Sequence, residues 1–279
     1  MTSIWRHRPR ASPLVSATVL AHGVGAATIL ASPSLSAFVI GGLIVNHGVI
    51  GAAGLFPRCG WLGPNITRLP DGVARDRVIA LTFDDGPDPE ITPRVLDLLA
   101  QAGQRATFFC IGEKAEAHPA LVTEIRRRGH GIENHTHRHP NLFALRGGRA
   151  MAREVLRAQN AIEHSGGARP AFFRAPAGIQ NPFLPGVLAD AGLCLVSWTR
   201  RGFDTVTRDG TRVAARLIGR GLTGGEILLL HDGAPAARLR QQQAVVLESL
   251  PRVLDAMSRA GLRSAALHDV LSPVSHMKA

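Results

Sequence analysis

The sequence has no tyrosine and only two lysines, Lys114 and Lys278, although its formal net charge is +11. The positive charge is therefore almost entirely arginine, which binds phosphate oxygens in a bidentate manner and favours phosphates or an anionic membrane surface as partners. A solvated surface of biased composition is the alternative interpretation. Because no basic run is interleaved with aromatic residues, the sequence does not favour nucleic acid as a partner.

Cysteine is scarce as well. Cys59, Cys110 and Cys194 are odd in number, lie far apart and form no C-x-x-C spacing. Neither a disulfide framework nor a cysteine zinc site is therefore indicated. The pattern is typical of small core residues.

Residues 12–56 contain no Asp, Glu, Lys or Arg. Two apolar stretches in this region, Pro13 to Ala31 and Leu35 to Phe56, are each about long enough to cross a bilayer, which takes roughly 17 to 25 residues. We therefore predict two transmembrane helices. A signal peptide and a soluble apolar hairpin remain as alternatives, although a signal peptide normally has a shorter apolar region and a clear cleavage site.

The connector between the two stretches is only Ser32 to Ser34, so both ends of the hairpin would lie on one side of the membrane. The arginines near both ends would then share that side, namely Arg6, Arg8, Arg10, Arg58 and Arg68. The positive-inside rule predicts a hairpin in the inner (cell) membrane with the remaining chain in the cytoplasm. If only one stretch crosses, the same rule places the remaining chain outside.

From about residue 76, short apolar runs alternate with amphipathic segments. The runs that predict strands are 78–83, 106–112, 130–135, 171–175, 194–198, 226–231 and 262–267. The segments between them predict helices. One begins with Thr92 as N-cap and Pro93 at its first position, and another spans residues 240–260. This alternation predicts an α/β fold with a parallel sheet, open or closed into a barrel. We expect residues 1–70 to be an anchor and residues 71–279 to be a catalytic domain.

Polar side chains follow the predicted strands where each strand ends. Since reactive residues gather at the carboxyl ends of parallel strands, we expect these side chains to share one rim. They are Asp84, Asp85, His135, His139, Arg174, Trp198, Asp204 and His231.

The stretch "HTHRH" has two readings as a metal site, because imidazole and carboxylate groups together suit divalent transition metals. If it continues as a strand, His135, His137 and His139 share one face. If it enters a helical turn, His135 and His139 align at i and i+4, Asp85 is available as the third ligand, and His137 is spare.

From about Val78 to Leu267, the chain resembles the polysaccharide deacetylase family, also called the NodB homology domain or carbohydrate esterase family 4. Five ordered motifs carry the resemblance: "TFDDGP", "HTHRH", "RAPAG", "WTRRGFD" and "ILLLHD". The resemblance implies a distorted (β/α) barrel and one divalent metal ion, zinc first, with cobalt, nickel or manganese as alternatives.

The resemblance also implies roles for individual residues. Asp84 would be the general base and His231 the general acid, with Arg174 holding the base and Asp204 steering the acid. The implied metal ligands are Asp85, His135 and His139. The implied substrate and oxyanion contacts are Pro176, Ala177, Trp198, Arg201 and Leu229.

Two departures from the family pattern affect the substrate contacts. Ala177 stands where the family usually has an aromatic residue, so a stacking surface for sugar is missing. Arg201 occupies the position of an aspartate, and Thr205 that of a tryptophan. Arg201 would bind a substrate phosphate or pair with a nearby carboxylate.

The predicted function is metal-dependent removal of N-acetyl groups from an amino sugar in a polysaccharide, oligosaccharide or glycolipid. The rival within hydrolases is a deformylase or deacetylase of a lipid-phosphate-linked amino sugar, which the hairpin, Arg201 and the basic charge suit. A rival of another class is a catalytically silent carbohydrate-binding module. Loss of any catalytic or ligand residue would favour that module, but the sequence retains all five, namely Asp84, Asp85, His135, His139 and His231.

Overall fold

The computed structural model describes residues 12–166, 168–233 and 244–271. It begins with a helical hairpin made of α1 (Pro13–Ala31) and α2 (Ser36–Leu55), joined by a 3-10 turn at Pro33–Leu35. Both helices match the two apolar stretches of the sequence within one residue, and both are long and apolar enough to cross a membrane. Within the hairpin, the Asn46 Nδ2 donates a hydrogen bond to the Thr18 hydroxyl at 3.0 Å.

An eight-stranded parallel sheet forms the centre of the remaining chain, in the spatial order β5-β4-β3-β2-β1-β7-β6, with β8 paired to the start of β1. The strands are β1 (Val78–Asp84), β2 (Ala106–Cys110), β3 (Gly131–Asn134), β4 (Phe172–Phe173), β5 (Cys194–Leu195), β6 (Arg200–Arg201), β7 (Ile227–His231) and β8 (Arg263–Ser264). Every strand pair is parallel, and the curved sheet forms a half-barrel. The predicted α/β barrel class is confirmed.

Helices connect the strands. They are α3 (Asp71–Arg75), α4 (Thr92–Gln101), α5 (Gly112–Ala117), α6 (Pro119–Arg127), α7 (Gly148–Gly166), α8 (Leu184–Ala191), α9 (Gly210–Ile218), α10 (Ala244–Arg259) and α11 (Leu267–Val270). The longer ones are amphipathic: α4, for example, buries Val95, Leu96 and Leu99 against the sheet. All seven residues of β1 are buried, so this strand is covered on both faces.

Three local predictions need correction. The helix α4 begins at Thr92 with Ile91 as its N-cap, and the Thr92 hydroxyl instead donates to the Asp232 carboxylate at 2.5 Å. The strand β6 was not predicted, because it has only two residues and both are arginines. The predicted helix over 240–260 is observed from Ala244, and its first residues lie outside the described part of the chain.

The end of the hairpin packs directly against the sheet domain. The backbone N–H of Gln180 donates to the carbonyl of Gly54 at 3.0 Å, and the Ser197 hydroxyl donates to the carbonyl of Pro57 at 2.6 Å. Further along, Ile66 forms a parallel bridge with Val196 beside the edge strand β5. The segment after α2 is therefore fixed to the loops that follow β4 and β5.

Candidate active site

The polar residues at the strand ends meet in one pocket of about 380 Å³ at the carboxyl edge of the sheet. Asp84, the last residue of β1, is in register with His231, the last residue of β7. His135 follows β3 directly, and Arg174 follows β4. Because these four strands are parallel, their ends bring side chains from distant parts of the sequence to the same rim.

Asp85, His135 and His139 form a three-residue cluster whose ligand atoms all lie within 4.8 Å of one another. The Nε2 atoms of His135 and His139 are 3.3 and 3.4 Å from the Asp85 Oδ1. Nitrogen and oxygen ligands about 2.0 to 2.1 Å from a tetrahedral ion are separated by about 3.3 Å, so the spacing fits a metal such as zinc. The Asp85 Oδ1 is buried and has no hydrogen-bond partner among the described residues, which is consistent with a metal ligand.

Hydrogen bonds hold the two imidazoles of the cluster in place. The Nδ1 of His135 lies 2.8 Å from the Arg174 carbonyl, an arrangement that leaves its Nε2 free to face Asp85. The chain then turns: Asn134 Oδ1 accepts from the Thr136 N–H, and Thr136 Oγ1 accepts from the His139 N–H. Thr136 and His139 both have positive φ, at 66° and 49°.

The strand-like reading of "HTHRH" is wrong, because β3 ends at Asn134. His137 lies apart from the cluster of Asp85, His135 and His139 found among the described residues. It is buried, and its Nδ1 packs so closely on Gly112 that a Cβ there would lie 2.7 Å away. The turn separates the three histidines into two ligand candidates and one packing residue.

Electrostatic interactions keep Asp85 ionised. Burial alone would raise the pKa of its carboxyl, but the adjacent imidazole of His135, 3.3 Å away, and the nearby imidazoles of His139 and His231 bring that pKa well below its ordinary value. A carboxylate that stays ionised in a buried position is suited to binding a cation.

Asp84 is held by a buried ion pair. The Arg174 Nη1 lies 2.7 Å from Asp84 Oδ1, and both side chains are almost fully buried. The same guanidinium donates to the Thr82 hydroxyl and to the carbonyls of Val196 and Ser197, at 2.8, 3.2 and 2.9 Å. Since a buried guanidinium is tolerated when it is paired and hydrogen-bonded, this set fixes the position of Asp84 beside Arg174.

His231 faces the cluster from the other side of the pocket. Its Nδ1 is 2.8 Å from Asp204 Oδ1, and its backbone N–H donates to Asp204 Oδ2 at 2.7 Å. Burial would lower the pKa of His231, but the charge of Asp204, their hydrogen bond and the more distant Asp85 and Asp84 raise it to about 9. His231 is therefore protonated at neutral pH and can act as an acid.

The predicted substrate contacts all line the same pocket, namely Pro176, Ala177, Trp198, Arg201 and Leu229. Ala177 is exposed and adopts a positive φ of 55°, whereas Trp198 and Leu229 are buried in the wall. The pocket also contains Asn141, Gly178, Thr205 and Gly233. Of these four, Gly178 had a signal in the sequence as the last residue of "RAPAG", and Thr205 as an exchange in the fourth motif, whereas Asn141 and Gly233 had none.

Arg201 does not pair with a carboxylate within the described residues. Its guanidinium carbon instead lies 5.5 Å from the ring centroid of Trp198 and 4.7 Å from that of Phe203. Its Nε is buried and has no hydrogen-bond partner there. Burial lowers the pKa of Arg201, and Asp204 and Asp84 partly offset that effect.

A supporting layer beneath the cluster was not predicted from the sequence. The Lys114 Nζ donates to the carbonyl of Asp85 at 2.6 Å, and the Asp232 N–H donates to the carbonyl of Asp84 at 3.2 Å. Burial raises the pKa of Asp232 to about 7, and the hydrogen bond from Thr92 partly opposes this. These contacts hold the backbone of both aspartates.

Comparison with known proteins gives one consistent answer. Residues 71–196 match the family model described as polysaccharide deacetylase. A chitooligosaccharide deacetylase from Sinorhizobium fredii is 38% identical over 192 residues, which are 68% of this chain and 86% of that protein. A peptidoglycan-N-acetylglucosamine deacetylase from Bacillus cereus is 31% identical over 201 residues, covering 70% of this chain and 89% of that protein.

Solved structures agree with the sequence relatives. A family 4 carbohydrate esterase from Streptomyces lividans, in complex with acetate, is 33% identical with a TM-score of 0.60, covering 71% of this chain and 94% of that chain. The chain therefore belongs to the polysaccharide deacetylase family. It is a hydrolase of linear amide bonds.

Proposed function

We propose that the protein removes N-acetyl groups from an amino sugar carried by an oligosaccharide, a polysaccharide or a glycolipid. One arrangement carries the proposal: two paired groups lie on either side of the cluster of Asp85, His135 and His139. One is the buried pair of Asp84 and Arg174, and the other is the pair of protonated His231 and Asp204. The relatives are a chitooligosaccharide deacetylase and a peptidoglycan-N-acetylglucosamine deacetylase, which supports acetylated amino sugars as the substrate class.

Asp85, His135 and His139 would hold one divalent ion, with zinc as the first choice and cobalt, nickel or manganese as alternatives. When bound, such an ion supplies Lewis acidity toward the amide carbonyl and lowers the pKa of water. The His135 Nδ1 contact with the Arg174 carbonyl would keep the imidazole oriented for the ion.

Two side chains would carry out the proton transfers. Asp84, which accepts a hydrogen bond from Arg174 at its Oδ1, would remove a proton from the attacking water at its Oδ2. His231 would then protonate the amine nitrogen from its Nε2, since its Nδ1 faces Asp204. An amine is a poor leaving group unless it is protonated, so an acid opposite the base is required.

The remaining pocket residues would position the acyl group and the sugar. The backbone N–H of Ala177 would donate to the developing oxyanion, and Leu229 would pack against the acetyl methyl. Pro176 and Trp198 would form the groove wall. The small side chain of Ala177 leaves this wall open where a bulky residue would narrow it.

A second candidate is a deformylase or deacetylase of a lipid-phosphate-linked amino sugar. The unpartnered Nε of Arg201 favours it, because a guanidinium without a carboxylate partner in the described pocket can bind phosphate. Acetate and formate release from matched N-acetyl and N-formyl sugars, free and phosphate-linked, separates the two candidates. Release of neither acid from any of these amides would contradict both.

We also propose that residues 1–70 anchor the enzyme as a hairpin in the cell membrane and that residues 71–279 form a catalytic domain on the cytoplasmic side. Nearly all of α1 and α2 is apolar and exposed, which supports lipid contact. The hairpin should resist alkaline carbonate extraction from membranes. Cys59, the one cysteine that is not buried, should react with an impermeant maleimide only after the cells are permeabilised; labelling of intact cells would reverse the orientation.

A further inference from the structure

The exposed apolar side chains of the catalytic domain are concentrated around the mouth of the pocket. Within its described residues, the exposed large hydrophobic side chains are Leu142, Leu145, Leu156, Phe183, Phe203 and Val206. All except Leu156 lie between β3 and α7, between β4 and α8, or between β6 and α9, in the same three loops that carry residues of the pocket. We refer to Leu142, Leu145, Phe183, Phe203 and Val206 as the apolar rim.

Chain neighbours and hydrogen bonds connect the apolar rim to the pocket on both sides. Leu142 follows Asn141, and Phe203 and Val206 flank Asp204 and Thr205, three residues that line the pocket. On the first side, the Asn181 Nδ2 donates to the carbonyls of Ala144 and Arg146 at 2.8 and 3.0 Å. The loop that bears Leu145 is thereby tied to the loop that bears Phe183.

The end of the hairpin joins the same ring of loops. Gly54, near the end of α2, accepts a hydrogen bond from Gln180, three residues before Phe183. Pro57 packs on Gly178, where an added Cβ would lie 2.6 Å from it and 2.5 Å from the Trp198 ring. The same ring of Trp198 contacts Arg201, so the hairpin end and the apolar rim are continuous.

A helix of 20 residues such as α2 is about 30 Å long, which matches the hydrocarbon thickness of a bilayer. If α2 crosses the membrane, the residues that follow Leu55 lie at its surface. Exposed Phe56 and Trp61 are residues typical of that interface, and exposed Arg58 and Arg146 can contact lipid phosphates. The loops bound to this segment must lie at the same depth.

We propose that the apolar rim lies in the interface of the bilayer that holds the hairpin, so that the pocket opens directly at the membrane surface. The inference rests on the proposed membrane hairpin. It narrows the substrate to amino sugars held at that surface, whether on a lipid or on a polymer close to it. The apolar rim contacts lipid, rather than a bound glycan chain or a protein partner.

Depth-dependent fluorescence quenching tests the proposal on the full-length protein. In a Cys59→Ser background, single cysteines at Leu145, Phe183, Val24 and Ser258 would carry an environment-sensitive fluorophore in phosphatidylcholine vesicles that contain phosphatidylglycerol. We expect Leu145→Cys and Phe183→Cys to show blue-shifted emission and to lose most of it when the lipids carry nitroxide. Ser258→Cys should keep its emission, because the end of α10 lies beside Arg77 at the amino edge of the sheet, opposite the pocket.

The label at Val24 distinguishes failure of the rim inference from failure of the proposed membrane hairpin. If Val24→Cys is quenched and both rim positions are not, the hairpin is inserted but the rim inference is wrong. If Val24→Cys is not quenched either, the membrane anchor itself fails, and the rim inference fails with it. Rim labels shielded by an added chito-oligosaccharide in place of lipid would show that the rim binds glycan, which also overturns the proposal. Acetate release by the unlabelled protein stays a separate measure of the hydrolase.

Discussion

The floor of the pocket and its outer wall use arginine in opposite ways. On the floor, Arg174 is fully buried, and its guanidinium makes hydrogen bonds to Asp84, Thr82, Val196 and Ser197. On the wall, Arg201 is half-buried and stacks on aromatic rings, and its Nε has no partner among the described residues. Both arginines lie within one pocket, yet only the first has its hydrogen-bonding capacity satisfied by the protein.

The difference indicates that the two arginines have different roles in the site. A satisfied network holds its groups rigidly and needs no ligand to be complete, which suits proton transfer in a fixed geometry. An unsatisfied guanidinium gains its hydrogen bonds only when an anion arrives, which suits recognition. Changes on the floor should therefore abolish the chemistry, whereas changes on the wall should alter which substrate is accepted.

The largest effect is expected for Asp84→Asn. The loss of a general base typically costs about a hundredfold to ten-thousandfold in rate, and acetate release should fall by that factor. Because Arg174 also loses its counter-charge, thermal unfolding must be measured in parallel; removal of one partner of a buried pair costs about 3 to 5 kcal/mol. Asp190→Asn, an exposed carboxylate on α8, is the matched control. A folded Asp84→Asn protein with full activity would contradict the floor assignment.

Metal content should distinguish the three histidines of "HTHRH". His139→Ala removes one of three ligand candidates, so bound zinc measured by elemental analysis should fall by about tenfold or more, and activity should fall with it. His137→Ala should leave the zinc content largely intact, because His137 lies outside the cluster. It is the matched control, since both are histidines of the same loop. Loss of zinc in His137→Ala would contradict the proposed ligand set of Asp85, His135 and His139.

The pH profile should report the His231–Asp204 pair. Because the raised pKa of His231 is about 9, the acid stays protonated and activity should persist up to that pH, then fall as the proton is lost. Asp204→Asn removes the strongest influence that raises this pKa. The alkaline limb of the kcat profile should therefore move to lower pH by about one unit or more. An unchanged alkaline limb would mean that another group limits the rate at high pH.

Much of this arrangement could be predicted from the sequence, because it depends on local patterns and on the geometry of parallel strands. The apolar run before Asp84 and the run that ends at His231 each predicted a buried strand, and the strand-end rule then brought their polar ends together. The two helices of the hairpin were likewise predicted within one residue of their observed ends.

The remainder depends on tertiary contacts that have no local signal. The strand β6 exists because Arg200 and Arg201 pair with the edge of β7, although two arginines have no apolar pattern. The stacking of Arg201 on Trp198 and the attachment of Gly54 to Gln180 each join segments through side-chain packing or a single hydrogen bond. The resemblance in the fourth motif could identify Arg201 as unusual at its position, but not whether a carboxylate would pair with it.

The smallest and most selective effect is expected for Arg201→Gln. Deacetylation of the methyl glycoside of N-acetylglucosamine should change by less than about threefold, because Arg201 does not contact Asp84 or His231. For N-acetylglucosamine 1-phosphate, the KM should rise by about tenfold, the equivalent of one charge-assisted hydrogen bond. Arg216→Gln is the matched control, because Arg216 stacks on the same Phe203 ring at 5.5 Å without lining the pocket. Equal losses on the two sugars would show that Arg201 supports the wall structurally, and the contrast between floor and wall would then be one of packing alone.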